Sequence, residues 1–167
     1  NLSGNVLKHY PNGISRLSQF DWYLILLQVP YLINNNPQVV ATAQNHAQDA
    51  FGISIISYGE LLYMTEKSER REMNLQVVQA FLAEIDIYLI NKEIAEIYSQ
   101  LKNRIFRQFA PKEKNKRRST RIQDLGFDDN DLWIAATAIY HNITLVSTDS
   151  DFTRIQQVYN FSVESWI

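Results

Sequence analysis

Residues 131–141 leave almost no polar face for solvent: Leu132, Trp133, Ile134, Ala135, Ala136, Ala138 and Ile139 point in nearly every direction of a helical wheel. A helix of that kind has to be covered on all sides. Asn142 alone separates it from residues 143–147, a β-branched run of strand length. A buried helix feeding directly into a strand points to a layered domain in which helices cover a sheet.

The same grammar recurs upstream. Residues 52–57 (G-I-S-I-I-S) read as a strand and run straight into Tyr58-Gly59-Glu60-Leu61-Leu62-Tyr63-Met64, where the apolar spacing becomes helical. Residues 70–84 predict an amphipathic helix with Met73, Val77, Phe81 and Leu82 on one face, and residues 86–90 a second short strand. Residues 91–109 predict a long helix with Asn91 as N-cap, Glu93 in its first turn, and a buried stripe of Ile94, Ile97, Tyr98, Leu101 and Ile105. Asn34-Asn35-Asn36-Pro37 marks a turn or helix entry ahead of a helix over 37–48. Residues 111–120 read as a basic loop, 151–158 as a short helix and 161–163 as a last strand. Strands alternating with helices predict a parallel sheet flanked by helices, a three-layer α/β/α architecture.

Composition narrows the functional classes. A chain of 167 residues fits one domain with a core of its own. Without cysteine there is no disulfide framework, thiolate nucleophile or Cys-type zinc site, which suits a reducing cytoplasm. No apolar run spans a bilayer and no signal peptide is evident, so a membrane is not an expected partner. His9, His46 and His141 lack metal-ligand spacing, and neither a Gly-rich phosphate loop nor a Ser-His-Asp arrangement occurs. The net charge of −2 hides an asymmetry: nine of the sixteen Lys and Arg residues lie between Lys102 and Arg121, with Glu113 the one acid among them. Such a stretch is either a solvated loop or a polyanion contact.

In an open parallel sheet, ligands gather beyond the carboxyl ends of the strands. Glu60 follows the strand at 52–57, Asp149 follows the strand at 143–147, and Asp131 opens the helix that leads into the latter. All three can face one edge. Grouped carboxylates repel unless a cation joins them, and Mg²⁺ or Mn²⁺ takes oxygen ligands while leaving room for a phosphate oxygen. Each acid also has a plainer reading. Asp131 can be an N-cap, Glu60 a first-turn glutamate favoured by the helix dipole, and Asp149 a turn residue, with Asp151 capping the next helix. Asp128 and Asp129 read as solvated loop acids, and Ser147 and Thr148 as residues that hold Asp149 or a metal-bound water.

The stretch Ile53-Ser54-Ile55-Ile56-Ser57-Tyr58-Gly59-Glu60-Leu61-Leu62-Tyr63 resembles the strand-to-helix acidic motif of PIN domains. Asp131-Leu132-Trp133-Ile134-Ala135-Ala136-Thr137-Ala138 and Thr144-Leu145-Val146-Ser147-Thr148-Asp149-Ser150-Asp151-Phe152 resemble that family's most characteristic stretch. The likeness covers residues 36–167 and is closest to the VapC-like toxins of toxin–antitoxin pairs. It implies a PIN-like fold and a Mg²⁺- or Mn²⁺-dependent endoribonuclease, dimeric and neutralised by a cognate antitoxin. It also implies that Glu60, Asp131 and Asp149 occupy the second, third and fourth acidic positions. Asp151, Asp21 and Thr148 are additional candidates. On that reading Lys102, Arg104, Arg107, Arg117 and Arg118 would hold the RNA backbone.

One departure stands out. The family's first acid sits at the end of its first strand, and here the matching place falls near Ile25 in the apolar run 22–30, which has no acid. Asp21 precedes that run instead of following it. Residues 1–33 are therefore expected to be an atypical N-terminal segment that includes a degenerate first strand, such as a rearranged or frame-shifted gene start would leave, ahead of a PIN-like domain over 34–167. The alternative function is a catalytically impaired PIN fold that keeps antitoxin or RNA binding. A plain α/β scaffold whose acids are only caps is the third reading.

Overall fold

The computed structural model describes residues 22–25, 36–46 and 49–166. Five strands form one sheet in the order β3-β2-β1-β4-β5, with every pairing parallel. They are β1 (Trp22–Ile25), β2 (Ala50–Ser54), β3 (Asp86–Tyr88), β4 (Thr144–Val146) and β5 (Val163–Glu164). The central strand β1 pairs Leu24 with Gly52 on one side and with Leu145 on the other. Its last residue, Ile25, stands level with Val146, the last of β4.

The helices are α1 (Pro37–Asn45), α2 (Ile55–Glu66), α3 (Arg71–Leu82), α4 (Lys92–Phe109), α5 (Lys114–Ser119), α6 (Asp129–His141) and α7 (Ser150–Gln156). They divide between two faces. Val39 and Ala43 of α1, Leu61 of α2, and Val78 and Leu82 of α3 pack with Phe51, Ile53 and Val146 in one core. Ile94, Leu101 and Ile105 of α4, much of α6, and Phe152 and Ile155 of α7 pack with Leu145 in the other. Neighbouring β4 residues thus feed opposite cores, as the period of two in a strand requires. This is the expected three-layer α/β/α sandwich.

Element boundaries moved for local reasons. Ser54 closes β2: its Oγ accepts the Ser57 backbone N–H and meets the Ser57 hydroxyl, each at 2.9 Å. That cap starts α2 at Ile55 with no loop, so residues expected at the strand's end are helical. Asn36 accepts N–H bonds from Gln38 and Val39, with Pro37 behind it at the first helical position. Asn91 caps α4 as expected, accepting from Ile94 at 2.8 Å. Asn142 ends α6 in the left-handed region at φ 51°. The basic stretch is not all loop: α5 forms within it, tied to the end of α4 where Arg117 donates to the Phe106 carbonyl at 3.0 Å. On α3 the buried seam is Val78 and Leu82, while Met73 and Val77 are exposed. The helix packs chiefly against α2, and the seam lies one residue further round than the apolar spacing suggested.

Gly52 lets β2 and β3 meet. A Cβ there would stand 2.5 Å from the Tyr88 ring and 2.8 Å from the Asp86 carbonyl oxygen. Gly52→Ala should therefore cost about 1–3 kcal/mol, as overpacking does. Adding Tyr88→Ala should not restore wild-type stability, because the backbone oxygen remains. Urea denaturation of the two variants checks this, and an unchanged midpoint in Gly52→Ala would contradict the contact.

Candidate active site

Because α6 leads directly into β4, it runs back against the strands, and its first turn lies at their carboxyl end. The same edge receives the second turn of α2, which begins at the end of β2, and the turn that leaves β4. Glu60, Asp131 and Asp149 come from those three segments.

Four consecutive residues at the start of α6 have four different roles. Asp128 is the N-cap and accepts the Asn130 N–H at 2.8 Å. Asp129 accepts Lys102 Nζ and the Tyr98 hydroxyl, each at 2.7 Å, and Gln123 Nε2 at 3.3 Å. Asn130 donates from Nδ2 to Glu60 Oε1 at 2.8 Å. Asp131 is half-buried, and its carboxyl has neither a hydrogen bond nor an ion pair among the described residues. The cap is thus Asp128, not Asp131; Asp128 is solvent-exposed as expected but bonded as the cap, whereas Asp129 is partly buried and tied into the fold. Trp133, two residues on, stacks on Tyr98 with ring centroids 3.9 Å apart and fastens this turn to α4.

The other two acids are also held in place. Glu60 lies in the second turn of α2, beyond the first-turn position that the dipole reading needed. Asp149 caps α7: its Oδ1 accepts the Asp151 N–H at 2.8 Å, and its own N–H donates to the buried Ser147 Oγ at 3.0 Å. Asp151 pairs with Arg154 at 3.0 Å, and Arg154 also donates to the carbonyls of Leu125 and Gly126. Thr148 is exposed beside Asp149, whereas Thr137 is buried and bonded back to the Trp133 carbonyl at 2.8 Å. Asp21 lies outside the described residues.

The electrostatics separate Asp131 from its neighbours. Burial, then the negative charges of Asp149, Asp128, Glu60 and Asp151, push its carboxyl up to about 7. Burial also acts to raise Asp129, yet its bonds to Lys102 and Tyr98 hold it below the ordinary carboxylate value. The acids around Asp131 are near enough to disfavour its ionisation. Among the described residues, however, no three of them already converge on one ligand point. A half-buried carboxyl facing four negative groups with no cation of its own is relieved by a proton or by a metal ion. The donor set, carboxylate oxygens only, fits a hard divalent cation.

Of the basic residues singled out, Lys102 is committed to Asp129. Arg104 donates to the Val158 carbonyl and lies over the Tyr159 ring, and Arg117 caps the end of α4. Arg107 and Arg118 are exposed, with no bonded partner among the described residues. Sequence reasoning missed Asn130 and Arg154. The spacing of Asp128 to Asp131, that of a capping box, was the available signal that the helix starts earlier.

The PIN domain family model matches residues 31–158, and the chain belongs to that family. The central strand β1 lies upstream of the matched stretch. Ribonuclease VapC1 of Haemophilus influenzae is 25% identical over 128 residues, covering 75% of this chain and 84% of that protein. The tRNA(fMet)-specific endonuclease VapC of Shigella flexneri is 32% identical over 81 residues, covering 48% and 61%. Among solved structures, VapBC2 from Rickettsia felis bound to a DNA fragment from its promoter superposes with a TM-score of 0.68 at 24% identity, covering 87% of this chain and 99% of that one. VapBC-1 from nontypeable Haemophilus influenzae gives 0.67 at 20%, covering 88% and 98%. Ribonucleases of this family generally use divalent metal ions. No helix among the described residues is long and apolar enough to cross a membrane.

The raised Asp131 value has a consequence for stability. Below the unfolded value near 3.8 both states carry the proton and nothing is lost. As pH rises towards 7 the unfolded chain releases that proton and the native one does not, so metal-free protein loses stability across this window. Asp131→Asn should remove the loss and stabilise the metal-free protein at pH 7.5 by about 1–2 kcal/mol, after allowance for solvent screening. Near pH 4 the difference should vanish. Denaturant melts at the two pH values measure it, and a variant less stable than wild type at pH 7.5 would contradict the repulsion.

Proposed function

We propose that the chain is a VapC-like toxin: a metal-dependent endoribonuclease that hydrolyses RNA phosphodiester bonds, with Glu60, Asp131 and Asp149 holding Mg²⁺ or Mn²⁺. The observation that carries this reading is the Asp131 carboxyl, unpartnered among the described residues and facing Asp149, Asp128, Glu60 and Asp151. A bound divalent ion would supply a water of lowered pKa and offset the charge that develops on the phosphate. The protein's own part is positional. Asp131 presents its carboxylate from a first turn that Asp128, Lys102 and Trp133 keep rigid. Asp149 is held by Ser147 and by its cap bond, with Thr148 beside it and Asp151 turned to Arg154.

Arg107 and Arg118 are the first choice for RNA phosphate contact, since Lys102, Arg104 and Arg117 already make bonds within the fold. Such contacts carry no sequence information and weaken with salt. The VapBC assemblies among the solved relatives support a cognate antitoxin as the partner, and a homodimer is the working unit this reading adopts from the family resemblance. A toxin that cleaves RNA would act in the cytoplasm, where it meets that substrate.

A second reading is favoured by one feature. β1 ends at Ile25, and residues 26–33 contain no acid where the family carries its first. That reading is a catalytically impaired PIN fold which retains antitoxin or RNA binding. Cleavage of a mixed RNA pool with Mn²⁺ separates the two. Metal-dependent cleavage should fall at least about 100-fold in Asp131→Asn and similarly in Asp149→Asn. No cleavage by the wild type, with Mn²⁺ still raising its melting temperature, would establish the impaired form. The absence of both cleavage and Mn²⁺ stabilisation would refute the metal site.

A further inference from the structure

Glu60 makes one hydrogen bond among the described residues, and it comes from the residue next to Asp131. Asn130 Nδ2 reaches Glu60 Oε1 at 2.8 Å across seventy positions of sequence, joining α2 to α6. The Asn130 backbone is itself fixed, because its N–H donates to the capping carboxylate of Asp128 at 2.8 Å. The amide is therefore presented from a rigid turn to a long side chain that would otherwise sample many rotamers.

We propose that Asn130 is a positioning residue for the metal site: it anchors one oxygen of Glu60 and leaves the other for the ion. The residue type suits that task. An ionised carboxylate only accepts hydrogen bonds, so a donor is required. A lysine or arginine would donate but would also neutralise the charge that attracts the cation. The neutral amide orients the carboxylate and preserves its charge. Its place in the chain suits the task as well. Asn130 and Asp131 are adjacent on one helical turn, so the element that presents one acid also sets the position of another.

The inference rests on the metal reading above. A double-mutant cycle in Mn²⁺ affinity, read from the electron paramagnetic resonance signal of free Mn²⁺ over the metal-free full chain, tests both. Asn130→Ala should weaken Mn²⁺ about five- to ten-fold, and Asn130→Ser, too short to reach Glu60, should do the same. In a Glu60→Ala background neither should weaken it further. RNA turnover should fall in kcat with KM unchanged. Wild-type affinity in Asn130→Ala, or an equal loss in the Glu60→Ala background, would make the contact a simple helix tie and overturn the proposal. A wild-type chain that binds no Mn²⁺ would sink the metal reading and this one with it.

Discussion

A helix that runs back against its sheet delivers its first turn to the strands' carboxyl end, and the chemistry of the acidic edge depends on that return. α6 is buried along its middle because almost every side chain from Leu132 to Ala138 is apolar. It cannot slide or tilt without opening the core it shares with α4, α7 and Leu145. Its first turn is consequently one of the most constrained places in the molecule. There Asp128 is taken up as a cap, Asp129 by Lys102 and Tyr98, and Asn130 by Glu60. What remains is Asp131, held at an edge crowded with negative charge and given no counterion among the described residues. Folding alone does not select such an arrangement, since a carboxyl raised to about 7 weakens the native state at neutral pH. Destabilised groups of this kind mark functional sites, where the binding partner supplies the missing interaction.

The layers were legible from sequence because they follow from periodicity. Alternating short β-branched runs and helical runs left a parallel sheet as the simplest solution, and the all-round apolar character of residues 132–139 identified the helix at its centre. Caps that are single residues in their own right, Asn91 and Asn142, could also be read, whereas the helix entry at residues 34–37 was read without picking out Asn36 as its cap. The boundaries at Ser54 and Asp128 could not, because each depends on which of several adjacent polar side chains turns inward. Ser54 and Ser57 bond each other, and that choice moves three residues from strand to helix. The exposed Met73 and Val77 show the same limit: an amphipathic pattern tells that a helix has an apolar side, and its neighbour decides which part of that side is covered.

For the candidate site, position was more legible than role. The rule about strand ends gave the edge to which Glu60, Asp131 and Asp149 come, while the plainer roles proved to belong to neighbours: Asp128 caps where Asp131 was a candidate, and Asp149 caps where Asp151 was. The Asn130 bond to Glu60 joins residues seventy apart, and no local pattern announces it. The basic stretch divided in a similar way. Charge density alone made Lys102, Arg104, Arg107, Arg117 and Arg118 equivalent, and packing made three of them internal ties.

On our reading, the neighbours of the Asp131 carboxyl keep it from ionising and a cation releases it. Calorimetric titration of Mn²⁺ at pH 6.5, in buffers of different ionisation enthalpy, tests this most directly, because a metal that displaces a proton reports it in the buffer dependence of the heat. We expect binding to release most of one proton in the wild type and almost none in Asp131→Asn. Binding with no proton release in the wild type, or the same release in both proteins, would contradict that reading.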